Sequence, residues 1–445
     1  MTERLHDLLE RLADDAPRPR VDHDLFRRAR RARRRDRMLV AAGAVALVVL
    51  IVAGISVLSA DGKWRTDLVT PVTENDVPAM PSRLYRVPEH VNGVEDNLAI
   101  GPVAVAYYGD SEAVVLVSAV DGQYRRVRLP GLIEFAYMIE HRMMALSPDG
   151  TKLAYAWHAA VPENDNPRVP SGVAVVDLMT GEVRRYARPG GQGVEAGQVS
   201  WSPNGRFLTY TLTNHKVWDG SSADGQMRIE RLDVHDGSAT VLPFPQADGS
   251  PAVSDDGRVG VVGFDFAWSW DPDHRPQLTR VELGRPMGTA AWSPTGARIA
   301  IGSDDLNEDA PIVVIDPRND SRLHIDRPGL NQVAAWLDDS RIVVLHVEPQ
   351  ALGAESETDV PDRSLQVLDV DRGTVRTRLP LGQASDEYTF ATALLQRPSR
   401  DFSEPDWPPN WGAIATTTIK IGLALLLASS VAGSLIQQRR RRRDP

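Results

Sequence analysis

The histidines of this 445-residue chain are candidate metal ligands, because imidazole binds transition metals. Three or four ligands must meet within about 2.1 Å of one ion. Four histidines follow predicted strands at similar places in a repeated pattern, but their spacings from the preceding turns differ, so they need not converge. The sequence therefore predicts no metal site at His158, His215, His274 and His346.

A short acidic segment offers oxygen ligands of the kind that Ca²⁺ prefers. Its spacing matches no known calcium loop, so a solvated acidic turn is the favoured interpretation, and no cofactor is expected. The segment contains Asp304, Asp305, Glu308 and Asp309.

Tryptophans and further acids occupy comparable segments elsewhere. Exposed tryptophan beside acidic residues suits a basic or mixed-charge protein partner. The alternative is that these aromatic side chains only pack within their own loops. The residues in question are Trp218, Trp268 and Trp270, with Glu163 and Asp165.

Enzyme signatures are missing from the sequence. There is no cysteine, which excludes disulfides, thiolate metal sites and a cysteine nucleophile. There is also no His-Glu-x-x-His, no Gly-x-Ser-x-Gly and no phosphate-binding loop. The sequence thus predicts a protein that is not an enzyme.

A ten-residue pattern positions these candidates: a large apolar residue, Ser-Pro-Asp-Gly or a variant, and an aliphatic strand. Close copies occupy residues 146–155, 201–210 and 292–301, and degenerate copies lie at Ser254 and Trp336. Pro presets φ, Gly takes the left-handed bend, and the alternating flanks predict strands. Each copy is a predicted hairpin, with turn residues Ser147, Pro148, Asp149, Gly150, Trp201, Ser202, Pro203, Gly205, Trp292, Ser293, Pro294 and Gly296.

A second hairpin pattern, an apolar run followed by Asp-x-x-x-Gly, alternates with the first and completes a four-stranded unit. The second pattern occurs six times, but the first occurs only five times, 39 to 55 residues apart. Residues 387–395 can supply the missing innermost strand. We therefore predict an all-β, six-bladed β-propeller over residues 99–397, closed by its C-terminal strand. Seven blades are the alternative if residues 77–98 add strands.

Length variation gathers on the links between the second and third strands of each unit. In a propeller these links share one face, and insertions on one face commonly mark the binding surface. The chain ends are expected on the opposite face. The links that hold or adjoin the candidate residues are 159–171, 214–226, 264–276, 303–310 and 348–362.

The repeats of residues 146–345 resemble the WD40-like (PD40) propeller repeat of the TolB family. Residues 201–210 and 292–301 are close matches, whereas residues 254–257 lack the Pro and residues 336–340 lack both Pro and Gly. The resemblance implies a propeller that serves as a binding platform. TolB's own partners do not carry over, because this chain lacks TolB's separate N-terminal domain and adds two predicted membrane anchors.

The first predicted anchor is residues 38–58, which are 21 residues without a charge and long enough to cross a hydrocarbon core of about 30 Å. Eight arginines precede it, including Arg27, Arg28 and Arg37, and they predict a cytoplasmic N-terminus. A cleaved signal peptide is the alternative, but its apolar region is usually shorter, about 7–15 residues.

Five arginines, Arg439 to Arg443, follow a second apolar span and predict a cytoplasmic C-terminus. The predicted layout is a cytoplasmic tail at 1–37, transmembrane helices at 38–58 and 412–436, linkers at 59–98 and 398–411, the propeller between the linkers, and a tail at 437–445.

The N-terminal tail carries a stripe of leucines at Leu5, Leu8, Leu9 and Leu12, which predicts a short amphipathic helix. Residues 3–13 could therefore dock a cytosolic protein, or they could remain a frayed tail. The tail is similar to those of membrane-anchored actinobacterial proteins, some of which regulate sigma factors.

Charge argues against a nucleic-acid partner. The formal net charge is −10, and residues 38–411 carry 51 acidic residues against 32 Lys and Arg. Binding to phosphates requires a basic surface. The acidic middle of the chain therefore excludes wrapping of DNA or RNA.

These features predict a bacterial plasma-membrane protein whose extracytoplasmic propeller binds a protein, a peptide or an envelope component without catalysis. One alternative is a transmembrane regulator whose N-terminal helix binds a sigma or transcription factor. A second alternative is a propeller hydrolase or lyase on envelope polymers, which would need acid and base residues that converge at the channel mouth.

Overall fold

The repeats fold into six four-stranded antiparallel sheets in a computed structural model of the protein. Apart from Lys420, the described residues belong to one unit, residues 64–408. They are residues 77–88, 91, 93–110, 113–132, 143–158, 170–188, 194–214, 227–244, 249–263, 267–272, 277–279, 288–303, 311–347, 363–381, 388–407 and 420.

The strands follow one another blade by blade. Blade I contains β1 (Val103–Asp110), β2 (Ala113–Ser118) and β3 (Tyr124–Val127). Blade II contains β4 (Met144–Leu146), β5 (Lys152–His158), β6 (Ser171–Asp177) and β7 (Val183–Arg188). Blade III contains β8 (Val194–Trp201), β9 (Phe207–Asn214), β10 (Met227–Asp233) and β11 (Ala239–Val241).

The other three blades repeat this order. Blade IV contains β12 (Ser250–Val253), β13 (Val259–Val262), β14 (Ala267–Trp270) and β15 (Gln277–Thr279). Blade V contains β16 (Gly288–Trp292), β17 (Ile299–Ser303), β18 (Ile312–Asp316) and β19 (Ser321–Ile325). Blade VI contains β20 (Leu330–Asp338), β21 (Arg341–Val347), β22 (Arg363–Asp369) and β23 (Thr374–Pro380).

The C-terminal strand β24 (Tyr388–Phe390) is the innermost strand of blade I, which confirms the predicted closure. It pairs antiparallel with β1, with Thr389 opposite Ala106. The predicted strand over 387–395 is shorter than expected, because a 3₁₀ helix, Thr392–Gln396, follows it. Because β24 completes the sheet of blade I, the ring of six sheets has no open end.

The described part of residues 77–98 adds no strand and takes part in two isolated bridges, Pro81 with Arg400 and Glu95 with Val127. The six-bladed prediction is therefore confirmed, and the seven-bladed alternative is wrong. Met80 and Leu84 are nonetheless buried in the cluster between blades VI and I. The C-terminal part of the predicted linker 59–98 thus packs on the propeller.

The core lies between blades, because each blade packs against a neighbour on both faces. Strands β2 and β6 are therefore buried along nearly their whole lengths, and their sequences are continuous apolar runs. One cluster joins blades I and II through Leu116 and Leu153, and another joins blades V and VI through Ile312 and Val344.

Blade IV differs from its predicted layout. Residues 264–276 were expected to be a link, but β14 already begins at Ala267. The alternating Ala-Trp-Ser-Trp of β14 suits a strand, since aromatic residues fit a pleated surface. Trp268 and Trp270 are consequently strand residues of blade IV rather than loop residues.

Both predicted transmembrane segments and both terminal tails lie outside the described residues, apart from Lys420. The same is true of the topology arginines Arg27, Arg28, Arg37, Arg439 and Arg443. Within the described part of the chain, no helix has the length and apolar character needed to cross a membrane.

Candidate functional site at the centre of the propeller

A serine holds the first turn in blades II to V. Ser202 is fully buried, and its hydroxyl donates to Asn204 Oδ1 at 2.7 Å and accepts from the Phe207 N–H at 2.9 Å. Ser147 repeats this arrangement with Asp149 and the Lys152 N–H. The recurring Ser and Asp or Asn thus close the tight turns that place the inner strands around the axis.

The second turn uses its aspartate in the same way. Asp177 Oδ1 accepts from the Met179 N–H at 2.9 Å, while Gly181 takes a positive φ of 76°. In blade V, where the sequence has Asp320 in place of the glycine, that residue adopts φ 54°. Asp tolerates the left-handed region better than most residues, so the turn survives without glycine.

The repeat tryptophans join neighbouring blades. The Trp201 indole N–H donates to the carbonyl of Ala145 at 2.9 Å, and that of Trp336 donates to Ala291 at 2.8 Å. Each bond links one inner strand to the inner strand of the preceding blade. Trp292 is 2% exposed, and among the described residues its N–H finds no acceptor because it lies against Gly260.

Turns also bond to the turns of the next blade. The Asn204 N–H donates to Asp255 Oδ1 at 2.7 Å, and the Thr295 hydroxyl donates to Asp339 Oδ1 at 2.7 Å. The pKa of Asp255 is raised, first by burial and also by the nearby charges of Asp256 and Asp339. The first and second turns of the blades lie on one face of the propeller, which we call the turn face. This face therefore carries a partly desolvated carboxylate, that of Asp255, where blades III and IV meet.

The inner strands enclose a central cavity of about 100 Å³. Its described lining comes from all six blades and is rich in small residues, with Ser200, Gln198 and Thr389 as hydrogen-bonding side chains and the three repeat tryptophans as flat apolar surfaces. Within that lining Tyr388 is the only side chain that titrates. Such a lining can pack and hydrogen-bond a ligand, but it offers no acid and base pair for proton transfer.

Two predicted site histidines are buried rather than presented on loops. His158 is the last residue of β5, and His346 lies in β21, each 5% exposed. His346 Nδ1 lies 2.9 Å from Oδ1 of the fully buried Asn331. These side chains therefore belong to the interior of blades II and VI, which corrects their predicted position after the strands.

Trp268 and Trp270 are half-buried and pack on the cluster that contains Phe207. Arg231 lies between rings, with its guanidinium carbon 5.0 Å from the Phe207 centroid and 5.1 Å from that of Trp270. Burial lowers the pKa of Arg231. For these two tryptophans the structure agrees with the packing interpretation, although they pack in a strand and not in a loop.

The other candidate residues fall outside the described part of the chain, so their grouping is untested. Among the residues that are described, no cluster of His, Asp and Glu could hold a metal ion. The candidates outside are Glu163, Asp165, His215, Trp218, His274, Asp304, Asp305, Glu308 and Asp309.

Sequence reasoning missed a contact between the two ends of the domain. Residues 77–85 and 397–407, which we call the clasp, are joined by a parallel bridge between Pro81 and Arg400. Both segments were predicted as linkers, in whole or in large part, because they are rich in proline and lack periodicity. No local sequence signal marks this contact, since its partners lie more than 300 residues apart.

Comparison with solved structures found distant likenesses. No protein-family model matches the sequence, and no curated protein matches it. Among solved structures, TolB from Acinetobacter baumannii is 16% identical, with 67% of each chain covered and a TM-score of 0.41. An oligogalacturonate lyase in complex with manganese is 18% identical, with 59% of this chain and 69% of that chain covered and a TM-score of 0.40.

A Mycobacterium tuberculosis puromycin-hydrolyzing peptidase is also 18% identical, with 65% of this chain and 47% of that chain covered and a TM-score of 0.37. Likenesses at this level carry no functional argument. The chain is a six-bladed β-propeller, and its Ser-Pro-Asp-Gly turn and the variants of that turn resemble the repeat of the TolB family.

Proposed function

We propose that the protein is a non-catalytic binding module of the bacterial plasma membrane, with both termini cytoplasmic and the propeller extracytoplasmic. Its partner is a protein, a peptide or an envelope component that docks on the propeller face away from the chain ends. We propose that the module acts as a sensor or as a scaffold when it binds this partner.

One observation supports the proposal: the segment after β24 and the tight turns share one face. The Ala393 N–H donates to Pro148 O in the first turn of blade II, and Phe402 lies against Gly122 in the second turn of blade I. The links between second and third strands start from the opposite strand ends, for example after His158 and Val347. The strand ends from which those links start are therefore on the face away from the clasp, and a partner on that face is what we propose.

The central cavity has surfaces that suit a bound ligand. Its described lining offers tryptophan, alanine and serine surfaces without converging carboxylates or histidines. A hydrolase or lyase needs an acid and a base within reach of one bond. Release of soluble fragments from envelope polymers by the purified full-length chain would favour the catalytic alternative instead.

Partner capture tests the proposal directly. The full-length chain, purified in detergent with a C-terminal tag, is cross-linked to envelope extract. A variant carrying Trp218→Ala, Asp304→Asn and Asp305→Asn should lose the captured partner. A control with Asp121→Asn and Asp236→Asn on the turn face should keep it, and loss with the control alone would contradict the proposed docking face.

The regulator alternative is separated by deletion. Removing residues 1–26 takes away the predicted leucine-stripe helix but leaves the arginine run and the first apolar span. A binding module should keep its extracytoplasmic partner, and its transcriptional profile should not change. A changed profile with partner capture intact would favour the sigma- or transcription-factor regulator.

A further inference from the structure

Arg400 ties the outgoing chain to the incoming chain. Its N–H donates to Met80 O at 2.9 Å, and its carbonyl accepts from the Ser82 N–H at 2.8 Å. Its guanidinium donates to Val120 O at 3.0 Å and to Val77 O at 3.1 Å. One side chain therefore bonds both the incoming segment and the second turn of blade I.

Further side chains close the clasp on either side of Arg400. The Ser82 hydroxyl donates to Asp401 Oδ1 at 3.0 Å, and the Arg397 guanidinium donates to Pro78 O at 3.2 Å. The Tyr85 hydroxyl lies 3.4 Å from Phe402 O. These contacts span about 320 positions of sequence, so each one holds the two ends of the domain together.

The clasp is also seated on blade I. Gly122 has φ +71°, and a Cβ there would overlap the ring of Phe402. The Tyr85 N–H donates to Tyr124 Oη at 2.6 Å, and the Tyr124 ring meets Trp407 edge to face at 5.5 Å. The outer part of blade I thus contacts both segments of the clasp.

Strand β24 needs such support. It has three residues and reaches the ring from a separate part of the chain, without the tight turn that connects the other inner strands to their neighbours. Its three pairs with β1 are few, and a short strand without a connecting turn is held weakly. Beyond it, Gln396 Nε2 bonds Leu337 O in blade VI at 2.9 Å.

We propose that the clasp is a strap that keeps blade I closed. It holds β24 in place by fixing the chain that follows β24 against the chain that precedes β1. When the clasp loosens, the seam between blades VI and I opens before any other seam. This device works whatever the propeller binds, so it stands apart from the proposed function.

A matched pair of glycine variants tests the strap in the full-length chain. Gly122→Ala places a methyl group against Phe402, whereas Gly373→Ala has a similar φ of +64° with nothing within 4 Å. Amide hydrogen exchange in β1 and β24 should be about tenfold faster in Gly122→Ala than in Gly373→Ala, with blade IV unchanged. Equal exchange in the two variants, or faster exchange in every blade, would overturn the proposal.

A disulfide tests the strap by strengthening the clasp instead of weakening it. This test does not need a destabilised variant. The natural chain has no cysteine, so Ser82→Cys with Asp401→Cys introduces a single possible pair. Oxidation should form the bond and slow exchange in β24 about fivefold relative to the reduced protein. Failure of the pair to form, or slowing that is equal in all blades, would overturn the strap.

Discussion

At the scale of single residues, the repeat motif is a set of structural roles. Ser202 closes a turn, Trp336 joins two blades and Asp177 caps a second turn through its carboxylate. The residues that make the repeat recognisable are therefore occupied by the fold. For the proposed docking face, specificity is expected from residues between the repeats.

Two tryptophans of the repeat provide a matched test of blade joining. Trp336 and Trp292 are equally buried, but Trp336 donates to Ala291 O whereas Trp292 lies against Gly260. Trp336→Phe should lower the free energy of unfolding by about 1 kcal/mol more than Trp292→Phe, since it removes a buried hydrogen bond. Urea denaturation measures the stability of both variants. Equal losses of unfolding free energy would contradict a stabilising role for the hydrogen bond from Trp336 to Ala291.

Two carboxylates should give opposite pH dependences. Burial alone would raise the pKa of Asp149, but hydrogen bonds from Ser147 and Thr151 and the charge of Lys152 outweigh it, so the pKa is lowered. Its ionised form then stabilises the fold above about pH 4 and loses that effect as the pH falls through the folded pKa. Asp149→Asn should thus lower the Tm at pH 7 and flatten its fall in acid.

For Asp255 the sign reverses, because its pKa is raised by burial and by Asp256 and Asp339. The charged form destabilises the fold at neutral pH, and this cost disappears as the pH falls to the ordinary carboxyl range near 4. Asp255→Asn keeps an acceptor for the Asn204 N–H and should raise the Tm at pH 7. Thermal melts from pH 3 to 8 check both variants, and a fall in Tm at pH 7 would refute the assignment.

At the scale of elements, the hairpins could be predicted wherever local chemistry defines them. Residues 146–155, 201–210 and 292–301 form the predicted strand pairs, since their turn residues are adjacent in sequence. In blade IV only the second hairpin was misplaced, because no Asp-x-x-x-Gly marks it. The clasp was missed because its contacts are long-range.

The candidate site was predicted less well than the fold. His158 and His346 were expected beyond the strand ends, yet cross-strand pairing continues through both residues and draws them into the interior. Length and polarity of a link cannot reveal where a strand ends to within a residue or two. The hydrogen bond from Trp336 to Ala291 could not be predicted either, since it depends on how two neighbouring blades are aligned.

The closing strand makes a bond that a conservative variant can remove. Thr389 Oγ1 accepts from the Leu146 N–H at 2.8 Å and so joins blade I to blade II. Thr389→Val keeps the shape but leaves that N–H without its acceptor, which should cost about 1–3 kcal/mol. Thr240→Val on the exposed edge strand β11 is the control. Similar stability losses in chemical denaturation would contradict a closing role for Thr389.

At the scale of the whole molecule, the proposed orientation rests on the face that the clasp shares with the tight turns. Because the natural chain has no cysteine, one introduced thiol reports its own surroundings. Val241→Cys replaces a side chain that is 47% exposed on blade III. In intact cells it should react with a membrane-impermeant maleimide, whereas Arg441→Cys should react only after permeabilisation. The reverse pattern would contradict an extracytoplasmic propeller.

The pairing of β24 with β1 also sets the order in which the protein can be completed. Strand β3 is synthesised early, but its blade waits for Phe390, which a ribosome adding about 5–20 residues per second reaches roughly 15–50 s later. During that interval the nascent chain carries β1 with a free backbone edge, exposed to mispairing. The oldest blade therefore keeps an exposed backbone edge until the youngest strand is made.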